Sequence, residues 1–448
     1  MLAEGAPAAP SPSLRHNSFA RLAADLVGLV FALIGATITA RLLGPAGKGY
    51  YSSLILLGGL ILQIFSAGLG EAAIVLSGNG RASLQDAASA TAAAILPLAV
   101  AAGGVFVVSA GILLPNDSDG LNTVLLAGGM VAVNVIYNTC VCFLVAKERV
   151  IPVAAIAVLA TGLSTALLWL FLVPLDLGTP GAMLGGILGS AVAVCTTLFL
   201  LLRSGLSPRP RVLPSYLKAA ARFGAALQFS NLLVQLTARL DLVLVYRLST
   251  PAQAGSYSIA LTLGALVGSV PLALAYAAFP RLAVVDDDEA RALTAQVFRM
   301  GVTSAVIAAC GLALVTPVAI PFVFGSAYTS AIGPTLLLIP AGVLWSGQWL
   351  LCRAAAARGT PRPLLVSFAV SFAVMVSLDF PLIPHLGANG AALASLLASA
   401  IGLVVAVAHY RRQGWDGTAF VPRGQDVRAL VAYLRGLVSP HRAVPSPH

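Results

Sequence analysis

Gln228, Asn231, Gln235 and Arg239 recur at spacings of 3, 4 and 4 inside a stretch, residues 223–247, that is otherwise largely apolar. At 3.6 residues per turn these spacings put all four on one helical face about three turns long. In a helix that crosses lipid, such a stripe must face protein or water, because hydrocarbon satisfies no donor or acceptor. Arg239 is the one cation well inside an apolar stretch, and a guanidinium offers the planar fork that matches a phosphate or carboxylate. Two roles stay open for it: contact with a phosphate-bearing substrate, or an internal ion pair with a carboxylate such as Asp25 or Glu71.

Asp25, Glu71, Asp241 and Asp379 are the carboxylates inside apolar stretches. Each costs roughly 3 kcal/mol at a bilayer centre, so each is by default a functional candidate; Asp25, Glu71 and Asp241 are the candidates for ion coupling, and Asp25 also for contact with a polar cargo. Glu71 follows Gln63 and Ser66 down one stretch; it is either a protonatable coupling group or a carboxylate reaching the inner interface. Asp241 lies about 200° around the helix from Arg239, so it is not simply that residue's partner; a bond to a neighbouring helix is expected, with coupling as the other reading. Asp379 stands near the end of its stretch and reads as interfacial. The run Asp286-Asp287-Asp288-Glu289 reads as the acidic start of a helix rather than a metal site. The five cysteines, Cys140, Cys142, Cys195, Cys310 and Cys352, lack metal-ligand spacing. No Gly-rich phosphate loop ending in Lys, His cluster or nucleophile motif occurs, so neither catalysis nor a cofactor is expected.

The elements that must hold these residues follow from composition. Of 448 residues 58% are hydrophobic and only 9% charged, and mean hydropathy is +0.93, which no soluble domain could bury. Apolar runs predict spans near 19–42, 52–77, 88–114, 121–146, 150–173, 181–202, 223–247, 255–279, 300–323, 332–357, 364–384 and 390–410. With a cytoplasmic N-terminus, all but four of the 26 Lys and Arg residues fall in the tails and inner turns; the exceptions are Arg41, Lys48, Arg239 and Arg247. The positive-inside bias therefore predicts both termini in the cytoplasm. The expected organisation is a disordered tail (1–18), an N-lobe of six spans (19–202), a basic linker (203–222), a C-lobe of six spans (223–410) and a cytoplasmic tail (411–448). In that last segment Val427, Leu430, Val431, Leu434, Leu437 and Val438 share a helical face beside Arg423, Arg428, Arg435 and Arg442. The pattern predicts an amphipathic helix on the anionic leaflet, or one that docks a partner.

The chain also repeats itself. The stretch from Arg41 to Ser52, RLLGPAGKGYYS, aligns with Arg247 to Ser258, RLSTPAQAGSYS, at an offset of 206 with seven identities in twelve. Leu177 to Leu184 aligns with Leu386 to Leu393 at an offset of 209. An offset of six spans makes the halves parallel, related by an axis along the membrane normal. Asp25 then matches Asn231, which places a polar group at the corresponding depth of the first span. The predicted fold is all-α, twelve transmembrane helices in two parallel six-helix lobes around a central cavity.

Ala40-Arg41-Leu42-Leu43-Gly44-Pro45 running to Gly49-Tyr50-Tyr51, Ala238-Arg239-Leu240-Asp241 with Ala254-Gly255-Ser256-Tyr257-Ser258, Phe324-Gly325-Ser326-Ala327-Tyr328, and Leu386-Gly387-Ala388-Asn389-Gly390-Ala391 resemble motifs of the Wzx-like oligosaccharide flippases. That family belongs to the multidrug, oligosaccharidyl-lipid and polysaccharide exporter superfamily, and the likeness runs over about residues 18–410. The resemblance implies alternating access and a cationic cavity through which the glycan and pyrophosphate of a polyprenyl-linked donor cross while the lipid tail stays in the bilayer. The implied partners are that donor, membrane lipids and polysaccharide assembly proteins, with no nucleic acid. A single deep cation, Arg239, where peptidoglycan-precursor flippases place several, points away from that precursor. An ion-coupled drug or metabolite exporter of the same superfamily is the alternative, and a membrane glycan polymerase or ligase is a third reading, disfavoured by the absence of a large outer loop.

Overall fold

The computed structural model describes residues 12–426 apart from 67, 81, 116–119, 283, 284, 361, 422 and 425; it does not describe the side chains of 12–23, 25, 26, 150, 223–228, 230, 276, 277, 280 and 281. Among the described residues thirteen α-helices follow one another: α1 (Pro12–Phe65), α2 (Leu69–Gly78), α3 (Leu84–Leu113), α4 (Gly120–Ala146), α5 (Val150–Leu172), α6 (Gly178–Arg203), α7 (Pro214–Leu248), α8 (Pro251–Val267), α9 (Ser269–Leu282), α10 (Asp287–Val323), α11 (Ile332–Ala357), α12 (Arg362–Leu386) and α13 (Ala388–Arg412). No strand occurs among them.

Nine helical runs among these residues are long and apolar enough to cross a membrane, and the pair α8 and α9, bent by 43°, acts as a tenth. One run, Val27–Gly78, is 52 residues long and is broken at Gly44, so it crosses twice. The remaining crossing is α7, whose Lys218, Arg222, Arg239, Asp241 and Arg247 make it the least apolar. Twelve crossings result, as the hydropathy pattern predicts.

Two local outcomes differ from expectation, and a third stretch is not described. The turn expected at 43–51 is absent: helix resumes directly at Pro45, because Gly44 takes φ 67° and ψ 178°, a geometry open to glycine, and proline suits a first helical position. Helix is already present from Pro12 and again from Pro214, so 12–18 and 214–222 are helical rather than tail or linker. The amphipathic stretch 427–438 lies outside the described residues.

The chain forms two compact units, residues 1–258 with 321–330, and 259–320 with 331–448. Grouping by contact therefore keeps α7 with the first unit, whereas the internal repeat assigns it by ancestry to the second half. In unit 1, α2 packs against both α4 and α7, and α1 against α5 and α7. Ser83 caps α3 by accepting from the Asp86 amide at 3.0 Å. The linker is laid on α3 by the Arg211 amide, which donates to Ser89 O at 3.2 Å. In unit 2 a buried polar network joins three helices: Gln348 Nε2 donates to Ser367 Oγ (2.9 Å) and Ser371 Oγ (3.0 Å), whose hydroxyls donate to Gly402 O and Ala398 O. Such bonds lock helices whose apolar faces alone gain little from leaving lipid.

The acidic run behaves as expected of a helix start, Asp286 Oδ1 accepting from the Glu289 amide at 2.8 Å. At 37 residues α10 is about 55 Å long, well beyond a hydrocarbon core of about 30 Å. Its projecting first turns are clamped from both sides. Arg358 donates to Leu282 O and Val285 O and pairs with Asp287. In the segment that follows α13, Asp426 pairs with Arg299 at 3.2 Å and Ala419 O accepts from the same guanidinium, while Phe420 sits edge-on to Phe298 and stacks on Trp415.

Candidate functional site

α7 is one continuous helix, so the described members of the predicted polar stripe, Asn231, Gln235 and Arg239, share a side of it. Asn231 and Gln235 are half-buried and Arg239 is exposed; the Gln228 side chain lies outside the described residues. On the opposite face Asp241 is 1% exposed, accepts from the Leu242 amide at 2.8 Å, and takes the Tyr257 hydroxyl of α8. The carboxylate nearest Arg239 in sequence is thus committed elsewhere, and Arg239 makes no hydrogen bond or ion pair with Glu71 or any other described residue. The Asp25 side chain lies outside the described residues.

Arg41 and Arg247, equivalent in the repeat, have different surroundings. Arg41 donates through Nε to Val323 O at 2.8 Å and through Nη2 to Phe322 O at 2.6 Å, satisfying carbonyls that a helix end leaves open. Tyr328 adds a bond from its hydroxyl to Ala40 O at 2.9 Å, and the Ser256 and Ser330 hydroxyls lie 2.9 Å apart. Arg247 closes the last turn of α7 and is exposed.

Between the two repeats the backbones touch reciprocally. A Cβ on Gly49 would stand 1.9 Å from Pro251 O, and a Cβ on Gly255 would stand 2.0 Å from Pro45 O. Pro45 and Pro251, like Gly49 and Gly255, are 206 positions apart, so residue i meets j and j's equivalent meets i's. That is an isologous contact within one chain. We refer to this end of unit 1 as the corner end and to the opposite end, where 203–214 runs, as the linker end.

Lys48, which the charge pattern set at a loop, is only 5% exposed. Its ammonium donates to Thr39 Oγ1 at 2.8 Å and lies 5.6 Å from the Tyr51 ring centroid, so it ties the two arms of α1 across the Gly44 break. The signal for this burial was in the repeat, where Lys48 aligns with Ala254, itself 0% exposed. Asp379 is a correction: expected at an interface, it is 0% exposed inside α12, because a helix position near a sequence end can still point into its bundle.

Glu71 is half-buried in the first turn of α2, where a Cβ on neighbouring Gly70 would stand 2.6 Å from Cys142 Sγ of α4. One turn from that cysteine is Asn138, exposed, its Nδ2 donating to Asn134 O at 3.0 Å. Asn134 in turn donates to Ser190 Oγ of α6 at 3.2 Å. Neither asparagine stood out in the sequence, since both are uncharged; their spacing of four within an apolar run was the available sign. Among the described residues no group of three or more His, Cys, Asp and Glu could hold a metal ion.

The family model described as polysaccharide biosynthesis protein matches residues 38–333. Comparison with curated proteins gives no sequence match. Among solved structures, the lipid II flippase MurJ in an inward closed conformation superposes with a TM-score of 0.75 at 10% identity, covering 94% of this chain and 93% of that one. An inward-facing multidrug resistance transporter of the MATE family gives 0.71 at 13% identity, covering 88% and 98%. The MATE multidrug transporter DinF-BH gives 0.66 at 15% identity, covering 94% and 99%. At these identities the likeness is one of fold.

Proposed function

Because the chain belongs to the polysaccharide biosynthesis protein family, we propose that it is a flippase carrying a polyprenyl-pyrophosphate-linked oligosaccharide across the bacterial inner membrane by alternating access, without catalysing a covalent step. The observation that carries this reading is Arg239, an exposed guanidinium in a helix that must cross lipid, with Asp241 already bonded to Tyr257. A cation at that depth needs a counter-charge, and a pyrophosphate supplies one with the geometry for two parallel N–H···O bonds. Asn231 and Gln235 extend the same face with uncharged donors and acceptors. The polyprenyl tail stays among the membrane lipids, and polysaccharide assembly proteins receive the product. Asp25, Glu71 and Asp241 are the carboxylates from which a coupling group would be drawn.

The test is reconstitution of the full chain in liposomes with lipid-linked oligosaccharide from its own cells. Delivered glycan should become accessible to a membrane-impermeant glycosidase faster than in protein-free liposomes, while a rhodamine dye is not extruded. Dye extrusion without glycan delivery would establish the exporter reading instead. An imposed Na⁺ or proton gradient identifies the coupling ion; a variant among Asp25→Asn, Glu71→Gln and Asp241→Asn that delivers glycan but ignores the gradient marks the coupling carboxylate.

The corner end is assigned to the outer face and the linker end to the cytoplasm, on the positive-inside bias. In a background with the five native cysteines replaced, an impermeant maleimide added to intact cells should label Ala252→Cys and not Arg209→Cys; both positions are exposed. Labelling of Arg209→Cys alone would invert the topology.

A further inference from the structure

Four of the 26 Lys and Arg residues depart from the positive-inside bias, and two of them already have a place: Lys48 ties the arms of α1, and Arg239 belongs to the polar stripe of α7. Arg41 and Arg247 remain. Each stands four residues before the proline and eight before the glycine of the reciprocal contact, so each repeat brings one guanidinium to the corner end. Both are exposed. A cation kept against the topological bias at the same position of both repeats needs a reason other than membrane insertion.

The two are prepared differently. Arg41 is held: its Nε and Nη2 donate to Val323 O at 2.8 Å and Phe322 O at 2.6 Å, which fixes the plane of the guanidinium and leaves three of its five N–H groups outside those bonds. Tyr328 braces the same place by donating to Ala40 O at 2.9 Å. Arg247 stands on the last turn of α7 with its side chain open to the surroundings, and it continues a line that begins at Arg239. It lies eight residues further along that helix, about 12 Å nearer the corner end and about 80° around the axis. Asp241, the carboxylate between them in sequence, is buried and bonded to Tyr257. An anion held at depth by charge-assisted bonds leaves slowly unless a second cation takes it over, which is why ion pathways use several weak sites in place of one strong one.

We propose that Arg247 and Arg41 form an exit subsite at the corner end, which takes the pyrophosphate of the donor over from Arg239 and passes it to the outer leaflet. The proposal rests on the flippase reading, with the corner end facing outward, and deepens it. Arg247 is the adjustable member that meets the pyrophosphate as it leaves Arg239. Arg41 is the fixed member, whose remaining N–H groups suit the oxygens of a second phosphate.

The experiment uses the full chain in liposomes of zwitterionic lipid alone, with lipid-linked oligosaccharide from its own cells over a range of concentrations. Arg247→Gln should lower the maximal delivery rate by about tenfold, the scale of one lost charge-assisted bond, and leave the half-saturating concentration within about twofold, because release and not capture is impaired. Arg247→Lys should recover part of the rate. Arg41→Gln should lower the rate likewise, and the melting temperature as well, since Phe322 O and Val323 O lose their donor. A second readout needs no transport: methylenediphosphonate, a stable stand-in for pyrophosphate, should raise the melting temperature of Arg239→Ala in detergent but not that of Arg239→Ala with Arg247→Gln. An Arg247→Gln protein that delivers glycan at the unaltered rate, or an Arg239→Ala protein that methylenediphosphonate does not stabilise, overturns the subsite and leaves the flippase reading intact. A loss that appears only when phosphatidylglycerol is added to the liposomes assigns the arginines to phospholipid headgroups and overturns it too. Thermal stability lost in Arg247→Gln and regained with Asp117→Asn or Asp119→Asn would instead make Arg247 a structural ion-pair partner. Failure of the unaltered protein to deliver the glycan overturns the flippase reading itself, and with it the exit role.

Discussion

Arg239→Ala abolishes glycan export in cells while the protein stays folded and inserted: this is the largest effect expected from any single substitution. Two charge-assisted bonds to a pyrophosphate, each about 1.5–3 kcal/mol, translate into a loss on the order of 10²-fold or more in delivery rate. Arg239→Lys should recover part of the activity, because an ammonium keeps the charge and loses the planar fork. The fold should tolerate the alanine, since the arginine is exposed and holds no other described side chain, whereas Asp241 beside it is buried and bonded to Tyr257. Normal export by Arg239→Ala would end the pyrophosphate role. Loss of export together with thermal stability, both restored by Asp25→Asn or Glu71→Gln, would instead identify a structural ion pair.

The second large effect is expected at the corner, where Gly255→Leu and Gly49→Leu should each stop transport and lower the melting temperature. The atoms in the way are backbone carbonyls, Pro45 O at 2.0 Å and Pro251 O at 1.9 Å from the added Cβ, and these cannot rotate aside. Overpacking of this kind costs about 1–3 kcal/mol in a core that can adjust, and here the adjustment is a parting of the two helix starts. Because both glycines belong to one reciprocal contact, the double variant should be little worse than either single one. Gly59→Leu is the control, with nothing within 4 Å of its added Cβ. If the corner opens and closes during each transport cycle, the milder Gly255→Ala should reduce delivery in liposomes more than it reduces the melting temperature. A Gly255→Leu protein that transports and melts like the unaltered chain would sink the role of the contact.

Lys48 and Asp379 show where reading a linear chain stops. Both lie at the edge of an apolar run, where a charge is free to reach water if the helix turns it outward. Their residue types said only that burial would be costly; the packing of the α1 arms around Thr39 and of α12 in its bundle decided that both are inside. Asn134 and Asn138 fail in the opposite sense. An amide costs little enough in a helix that only a spacing of four marks the pair in the sequence, and the bond from Asn134 to Ser190 of α6 is known only from the structure.

What the residues determined by themselves was the part of the structure governed by solvent. A bilayer imposes apolar runs of about 20 residues and a bias in Lys and Arg, and both are one-dimensional signals, so twelve crossings and the duplication were legible without coordinates. The α7 face was legible for the same reason, since a helix converts spacing into direction. What only the tertiary structure decided was which directions meet. The meeting of Gly49 with Pro251 and of Gly255 with Pro45, the seating of Arg41 on the carbonyls of Phe322 and Val323, and the commitment of Asp241 to Tyr257 join residues from 16 to 282 positions apart. Partners that distant are chosen by close packing between helices, a short-range force with no period along the chain.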